Sequence, residues 1–389
     1  QTVKAMIQEL SPGFPVFCST EVWPIIREYE RTVTAVIHGY VQPRVSQYLE
    51  SLQQALLDVK INAIPQVTKS NGGVMSAELG RTACAQMILS GTAAGVIGAS
   101  YVSKLSGHPN TMSLDVGGTS ADVAFIRDGQ PQFGIGEVIG EFPIFIPSVA
   151  VTSIGAGGGS IAWVDDLGIL RVGPESAGSK PGPACYGNGG ERATITDAFV
   201  VLGYIGQFDL GYSAIEIDVT KARSAVDVLA EKIGKETEET AQAIVDIAVS
   251  GMYMEISKLI SRYAVDPREY ALQAFGGAGP MMACFVAKEL GMQTVIIPTT
   301  PGVLSALGGL IADIKNDFIK TVFVELGGAE TTVIQEEYKL LEDNALQWLR
   351  EEQAYAGDYQ LIYSADMRYR GQAFEIEAIL SAKDVASGN

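Results

Sequence analysis

Histidine is almost absent from this chain: 389 residues include two, His38 and His108. A histidine-rich metal centre or a Ser-His-Asp triad is therefore hard to build. Cysteine is also sparse, with Cys18, Cys84, Cys185 and Cys284 far apart and in no metal-ligand spacing. No signal peptide is visible, so the thiols read as reduced and the chain as cytoplasmic. No apolar run reaches the ~20 residues of a membrane helix. The stretch Leu89–Val102 is short and rich in Gly and Ala, which suits tight packing, and no membrane partner is expected. Cations are in the minority, 27 Lys and Arg against 45 Asp and Glu, for a net charge of −18. Nucleic acid needs clustered Lys and Arg, so it is excluded as a main partner. A nucleotide is not excluded, because backbone N–H groups and a metal ion can hold one.

Apolar residues are plentiful, at 47% of the chain against 19% charged. The length implies two or three packed units, since single cores stop growing at roughly 250–300 residues. The chain opens on Gln1 and stops at Asn389 after a strand-like segment, which reads as a piece of a longer polypeptide.

Helical spacing runs from Glu21 to about Val59, with Pro43 expected to break it before Val45–Leu57. Ser70-Asn71-Gly72-Gly73 is a turn, and Ser76 is a candidate N-cap with Glu78 in the next first turn. A small-residue helix follows over about Thr92–Lys104. Strands are expected at Thr111–Val116 and Asp122–Arg127, with more strands and loops over Glu141–Gly173. Asp197–Ile205, Lys221–Lys232 and Glu236–Tyr263 read as helices, Tyr270–Phe275 as a strand and Met281–Leu290 as a helix. Beyond these come a helix near Val303–Ala312, a strand at Phe318–Leu326, a charged helix at Thr331–Ala354, and strands at Gln360–Arg368 and Ala373–Leu380. The alternation says α/β.

The strongest chemical signal is Asp115-Val116-Gly117-Gly118-Thr119-Ser120-Ala121-Asp122, a hairpin tip between apolar strands. Without side chains, Gly117 and Gly118 let backbone N–H groups close on phosphate oxygens, and glycine can take the positive φ such a tip requires. Thr119 and Ser120 add hydroxyls, and Asp115 is placed to hold Mg²⁺ directly or through water. The alternative is a plain tight turn in which Asp115 bonds its own backbone. Gly276-Gly277-Ala278-Gly279-Pro280 lies between a strand and a helix, where a ligand can approach and the helix N-terminus favours an anion. A third cluster, Gly155-Ala156-Gly157-Gly158-Gly159-Ser160, implies close contact with either a ligand or another backbone segment.

With Arg27-Glu28-Tyr29-Glu30-Arg31, Ser70–Gly73, Ile154–Val164, Lys180-Pro181-Gly182-Pro183-Ala184-Cys185-Tyr186-Gly187 and Met367-Arg368-Tyr369-Arg370-Gly371-Gln372, these segments follow a familiar order. The chain resembles the hydantoinase A/5-oxoprolinase family over nearly its whole length. That resemblance implies an actin-like (ribonuclease H-like) ATPase lobe. Residues 1–107 would complete the fold, 108–326 would form its core, and 327–389 would begin a C-terminal α/β region. It implies ATP and Mg²⁺ as cofactors, with Asp115, Gly117, Gly118 and Thr119 as the second phosphate loop and Gly276, Gly277 and Gly279 on the adenosine side. The family's first phosphate loop has no second copy here, so the N-terminal lobe is expected to lie outside this sequence, and the fragment alone to be inactive.

The implied activity is ATP-dependent phosphorylation of a cyclic amide or related carbonyl substrate before ring opening, with a B-type partner subunit or fused half. A carboxylase beta-type subunit acting on an enolate or bicarbonate is the enzymic alternative, and a non-catalytic nucleotide-binding assembly subunit is the other. A homo-oligomer is left open, and no catalytic residue is assigned. Departures from the family's pattern stand at Ala150, Val151 and Thr152 (an Asp-x-His in many relatives), at Met282 (often His) and at Thr92 (commonly Pro). Cys185 invites a nucleophilic reading but has no histidine partner. Asp197 reads as a helix-capping carboxylate and His38 as packed. Arg368 and Arg370, two apart on an expected strand, read as surface ion-pair residues.

Overall fold

The computed structural model describes residues 2–139, 142–206, 216–326, 331–352, 355 and 357–387. The chain divides into two compact units. The first comprises Leu89–Gly134 and Ser148–Ala312, the second Gln1–Ile88, Ile135–Pro147 and Asp313–Asn389.

The first unit begins with α1 (Ser90–Leu105), β1 (Thr111–Val116), β2 (Ala121–Arg127) and β3 (Gln130–Pro131). Then come β4 (Thr152–Ile154), β5 (Ser160–Val164), β6 (Leu170–Ser176), α2 (Ile195–Val201), α3 (Val219–Ile233) and α4 (Thr237–Tyr263). β7 (Ala271–Phe275), α5 (Gly279–Leu290), β8 (Val295–Ile296) and α6 (Leu304–Ile311) complete it. The main sheet runs β8-β7-β1-β2-β3, with β4 also paired to β2. β7 is parallel to β1 and β8, whereas β1 and β2 form an antiparallel hairpin.

Alternation along these strands sends side chains to opposite faces. Met112, Leu114, Val116, Leu272 and Ala274 pack into one cluster with residues of α4 and α5. Ala124, Ile126 and Phe275 face α1 and α6 through Ala93, Val96, Ala99 and Leu304. The sheet is thus covered on both faces, as parallel pairing requires. Full burial of side chains the size of Phe275 or Leu304 contributes about 1.5–3 kcal/mol each.

Small residues in α1 do what their composition suggested. A Cβ at Gly308 would stand 1.7 Å from the Ala94 carbonyl oxygen, and one at Gly98 would stand 2.7 Å from that of Leu304. α1 and α6 therefore cross at backbone distance, where no side chain fits between them.

In the second unit, Gln66–Thr68 and Val74–Ser76 form a hairpin, and the Ser76 hydroxyl caps Ala77–Gly80 by accepting from the Leu79 amide at 3.2 Å. The strands Tyr363–Met367 and Ile376–Leu380 pair antiparallel. The helix from Thr331 is α-helical to Gln347 and continues as a π turn over Trp348–Glu352; its expected end at Ala354 lies outside the described residues.

Three expectations are corrected by this fold. Pro43 does not break the N-terminal helix, which runs unbroken over Glu28–Asp58. Proline removes one i→i−4 bond and crowds a carbonyl, but buried Thr34, Ala35 and His38 before it and Leu49 after it anchor both halves. Phe318–Leu326 is not a strand, because it has no ladder partner among the described residues. Arg368 and Arg370 lie beyond the strand end at Met367, so they share no strand face. Each is ion-paired, Arg368 to Glu375 at 3.1 Å and Arg370 to Glu325 at 3.5 Å.

The α1–α6 crossing generates a test. Gly308→Ala should destabilise the protein by about 1–3 kcal/mol in denaturant titration, the cost of overpacking a close contact. Gly91→Ala in the same α1 helix, where an added Cβ meets nothing within 4 Å, should change stability by less than about 1 kcal/mol.

Candidate functional site

The β1–β2 hairpin closes on a two-residue tip, Gly118-Thr119, with the Gly117 amide donating to the Ser120 carbonyl at 3.0 Å. Neither Gly117 nor Gly118 has a positive φ. The positive φ expected of these glycines is thus not found: this is not a primed hairpin turn. A Cβ at Gly118 would meet nothing within 4 Å and one at Gly117 only the Ser120 oxygen at 3.8 Å, so packing requires neither glycine; the tight fit belongs to the third glycine cluster. The Gly158 amide donates to the Gly117 carbonyl at 2.9 Å and the Gly159 amide to the Gly118 carbonyl at 2.7 Å. A Cβ at Gly157 would stand 2.6 Å from the Thr119 nitrogen, and one at Gly159 2.8 Å from the Gly118 oxygen. Of the two contacts left open for the triple glycine, backbone against backbone is the one observed.

The turn after β7 closes on the base of the same hairpin. Gly276 sits at φ +81°, and a Cβ there would lie 2.2 Å from Asp115 Oδ1 and 2.6 Å from the Val116 oxygen. Only glycine takes that conformation at that distance. The Ala278 amide donates to the Val116 carbonyl at 2.8 Å, and Gly279 passes within 3.3 Å of the Leu114 oxygen, measured from its would-be Cβ. Gly276, Gly277 and Gly279 thus stand beside Asp115, Gly117, Gly118, Thr119 and Ser120, with Gly277 and the tip exposed. The amides of Gly118 and Thr119 donate to no acceptor among the described residues.

Counting across the hairpin pairs Asp115 directly with Asp122. Two carboxylates on one face of adjacent strands repel one another. Burial and the Asp122 charge push Asp115 up to about 6, while a hydrogen bond from Ser305 works in the opposite direction. Asp122 takes hydrogen bonds from Ser153 Oγ and, at 3.4 Å, from Thr92 Oγ1. Asp122, Ser153 and Ser305 were missed as site residues from the sequence. The hairpin's symmetry about its tip was a signal that could have found Asp122. The Thr92 hydroxyl supports Asp122.

Residues 31–318 match the hydantoinase/oxoprolinase family. The chain belongs to that family. It is 33% identical over 393 residues to the caprolactamase alpha subunit of Pseudomonas jessenii, covering 98% of this chain and 55% of that protein. The crystal structure of the ATP-dependent caprolactamase from the same organism superposes with a TM-score of 0.80 at 31% identity, over 100% of this chain and 57% of that one. A nucleotide-free acetone carboxylase structure gives a TM-score of 0.79 at 27% identity, over 98% of this chain and 56% of that one. The chain therefore spans about half the length of the relatives it matches.

Against the family pattern, Met282 is fully buried in the apolar cluster and Ala150 is buried. Thr152 opens β4 and pairs with Val123. These positions offer this chain no titratable group.

The nucleophilic reading of Cys185 gains no support from the structure. It is fully buried, and burial beside Asp197 raises its thiol pKa above the ordinary value. Asp197, also fully buried, reciprocates the Thr194 cap at the start of α2. It accepts from the amides of Thr194 (2.8 Å), Cys185 (2.7 Å) and Ala184 (3.2 Å) and from the Thr194 hydroxyl (2.8 Å). The capping role is confirmed and extended, since one carboxylate fastens the Lys180–Gly187 loop to the helix. His38 is packed as expected, with its Nδ1 3.4 Å from Cys84 Sγ and its ring edge-on to Phe17.

Asp197→Ala should orphan three buried amides and cost at least about 3 kcal/mol. Thiol labelling checks it: exposed Cys284 should react in the native protein, and Cys185 only on unfolding. In Asp197→Ala, Cys185 should become reactive before the global transition.

Proposed function

We propose that the full-length protein phosphorylates a cyclic amide with ATP before the ring is opened by hydrolysis. The lobe built around residues 108–326, with 1–107 completing it and 327–389 beginning a further α/β region, is proposed to be actin-like. The observation that carries this reading is the exposed tip with free amides at Gly118 and Thr119 beside a half-buried, charge-stressed Asp115. Free amides on a rigid tip are suited to phosphate oxygens. A divalent cation would relieve the repulsion between Asp115 and Asp122. Mg²⁺ commonly uses one or two carboxylates plus substrate phosphates, and Asp115 and Asp122 are such a pair.

In this scheme Gly117, Gly118, Thr119 and Ser120 bind phosphate, Asp115 organises Mg²⁺, and Gly276, Gly277 and Gly279 approach the nucleoside. When bound, Mg²⁺ supplies charge neutralisation. The amide carbonyl oxygen forms a bond to the γ-phosphorus while the bridging P–O bond breaks and ADP leaves. The carbon bearing the O-phosphoryl group is then a better electrophile: water adds to it, the ring C–N bond breaks with the proton going to nitrogen, and inorganic phosphate leaves. The chain's own contribution is positioning and electrostatics. A B-type partner subunit or fused half is proposed for the hydrolytic step. An ATP-rich compartment such as the cytoplasm suits the reaction, and no helix among the described residues is long and apolar enough to cross a membrane.

A carboxylase beta-type reading, with an enolate or bicarbonate as phosphoryl acceptor, is supported by the likeness to acetone carboxylase. The apolar residues at the departed family positions favour an assembly subunit instead.

Calorimetry on the full-length protein should detect Mg·ATP binding, and Asp115→Ala should weaken it at least tenfold, about 1.4 kcal/mol. ATP turnover in the complete complex then separates the readings. Stimulation by hydantoin, 5-oxoproline or caprolactam supports the cyclic amide, and stimulation only by acetone with bicarbonate supports the carboxylase. Binding without stimulation by either leaves the assembly role.

A further inference from the structure

β6 ends at Ser176, and the loop that leaves it runs through Gly178 and Lys180 into the 180–187 motif. The first residues of this loop are fastened to the hairpin tip and its support. The Ser176 hydroxyl donates to the Gly118 carbonyl at 3.3 Å, and the Ala177 amide donates to the Gly159 carbonyl at 2.9 Å. A Cβ at Gly159 would itself stand 3.1 Å from Ser176 Oγ. The chain then turns back on itself. The Gly178 amide donates to Ser176 Oγ at 3.2 Å, and the Gly182 amide donates to the Ala177 carbonyl at 3.2 Å. Lys180 lies inside that closed turn, three residues on from the amide that bonds Gly159.

Lys180 is exposed and makes no ion pair or hydrogen bond among the described residues. The carboxylate nearest to it in sequence, Glu175, is taken by Arg192 through two hydrogen bonds of 2.6 and 2.8 Å. Neither the tip nor the turn after β7 carries a cation of its own. Mg²⁺ neutralises only part of the charge of a triphosphate. An ammonium on a flexible stem is a common point-charge partner for the remainder.

We propose that the 176–182 loop is a second wall of the phosphate site and that Lys180 is its cation, contacting the phosphates of the bound nucleotide. Ser176 holds the tip through the Gly118 carbonyl, and Lys180 supplies the positive charge that the tip lacks. The inference deepens the proposed function and rests on it for the identity of the anion.

The test is amine acetylation of the full-length protein, read by mass spectrometry at Lys180, with exposed Lys258 in α4 as the reference. Present at about ten times its Kd, Mg·ATP should slow acetylation of Lys180 about tenfold and leave Lys258 unchanged. Mg·tripolyphosphate, which has no nucleoside, should protect Lys180 in the same way, and adenosine should not. Lys180→Met should weaken Mg·ATP about tenfold, the low end for a hydrogen bond to a charged group, while Lys180→Arg should keep most of the affinity. If Mg·ATP binds but changes neither the acetylation of Lys180 nor, in Lys180→Met, its own affinity, this contact is overturned and the proposed function stands. Protection by adenosine would put the loop at the nucleoside end and overturn the contact as well. Protection by ATP without amide-stimulated turnover does the reverse, keeping the contact and removing the cyclic-amide reading. If neither ATP nor tripolyphosphate binds, both fall.

Discussion

Backbone packed against backbone around one hairpin tip is the constraint on which the first unit's candidate site depends. Gly157 and Gly159 lie so close to Gly118 and Thr119 that a methyl group at either would stand within 3 Å of main-chain atoms. Gly276 meets Asp115 and the Val116 carbonyl in the same way from the other side. The contacts with main-chain atoms cannot be relaxed by choosing another rotamer. The tip is therefore held by its carbonyls, through Gly158 and Gly159, while its amides and hydroxyls stay exposed. A loop fastened on its acceptor side and open on its donor side is preorganised for an anion, with little ordering left to be done on binding.

The same closeness sets the electrostatics. Glycine stands behind Asp115, Asp122 stands across from it, and the residue is only half exposed to solvent. The site accommodates two facing carboxylates by surrounding them with hydroxyls, from Ser305 to Asp115 and from Ser153 and Thr92 to Asp122. Hydroxyls can orient a carboxylate without cancelling its charge. The residual repulsion is what a cation at this position would relieve. Under the proposed function, the raised Asp115 and the free amides would be two parts of a single arrangement for a phosphate–metal ligand.

Much of this was legible in the residues. Alternation, glycine placement and helical spacing located β1, β2, β7 and the helices around them to within a few residues. The order of the glycine segments pointed to the family. What sequence could not settle was which partner each glycine served. A triple glycine is required equally by a phosphate group and by a neighbouring carbonyl, and only coordinates distinguish Gly158 reaching Gly117 from Gly158 reaching a ligand. Positive φ was assigned to the wrong turn, at Gly117 and Gly118 instead of Gly276, because the demand at Gly276 comes from Asp115, 161 positions away in sequence. Pro43 and Phe318–Leu326 failed for a related reason. A local rule was applied where distant anchors, or the lack of a ladder partner, decided the outcome.

Glycine serves the second unit by the same physics, with a different result. Gly73 admits the 313–317 segment at main-chain distance, as Gly276 admits Asp115. Around the hairpin tip, close approach leaves donors exposed to solvent, where water can satisfy them at little cost. Beside Gly73 it brings buried Lys69 and half-buried Asp317 close to the buried Trp23. Buried donors without partners are unstable arrangements that folding tolerates only when the rest of the unit compensates. Here the compensation is visible in the Trp23, Ile144 and Ile146 cluster and in the bonds that tie Lys69 and Asn71 to Asn316 and Asp317.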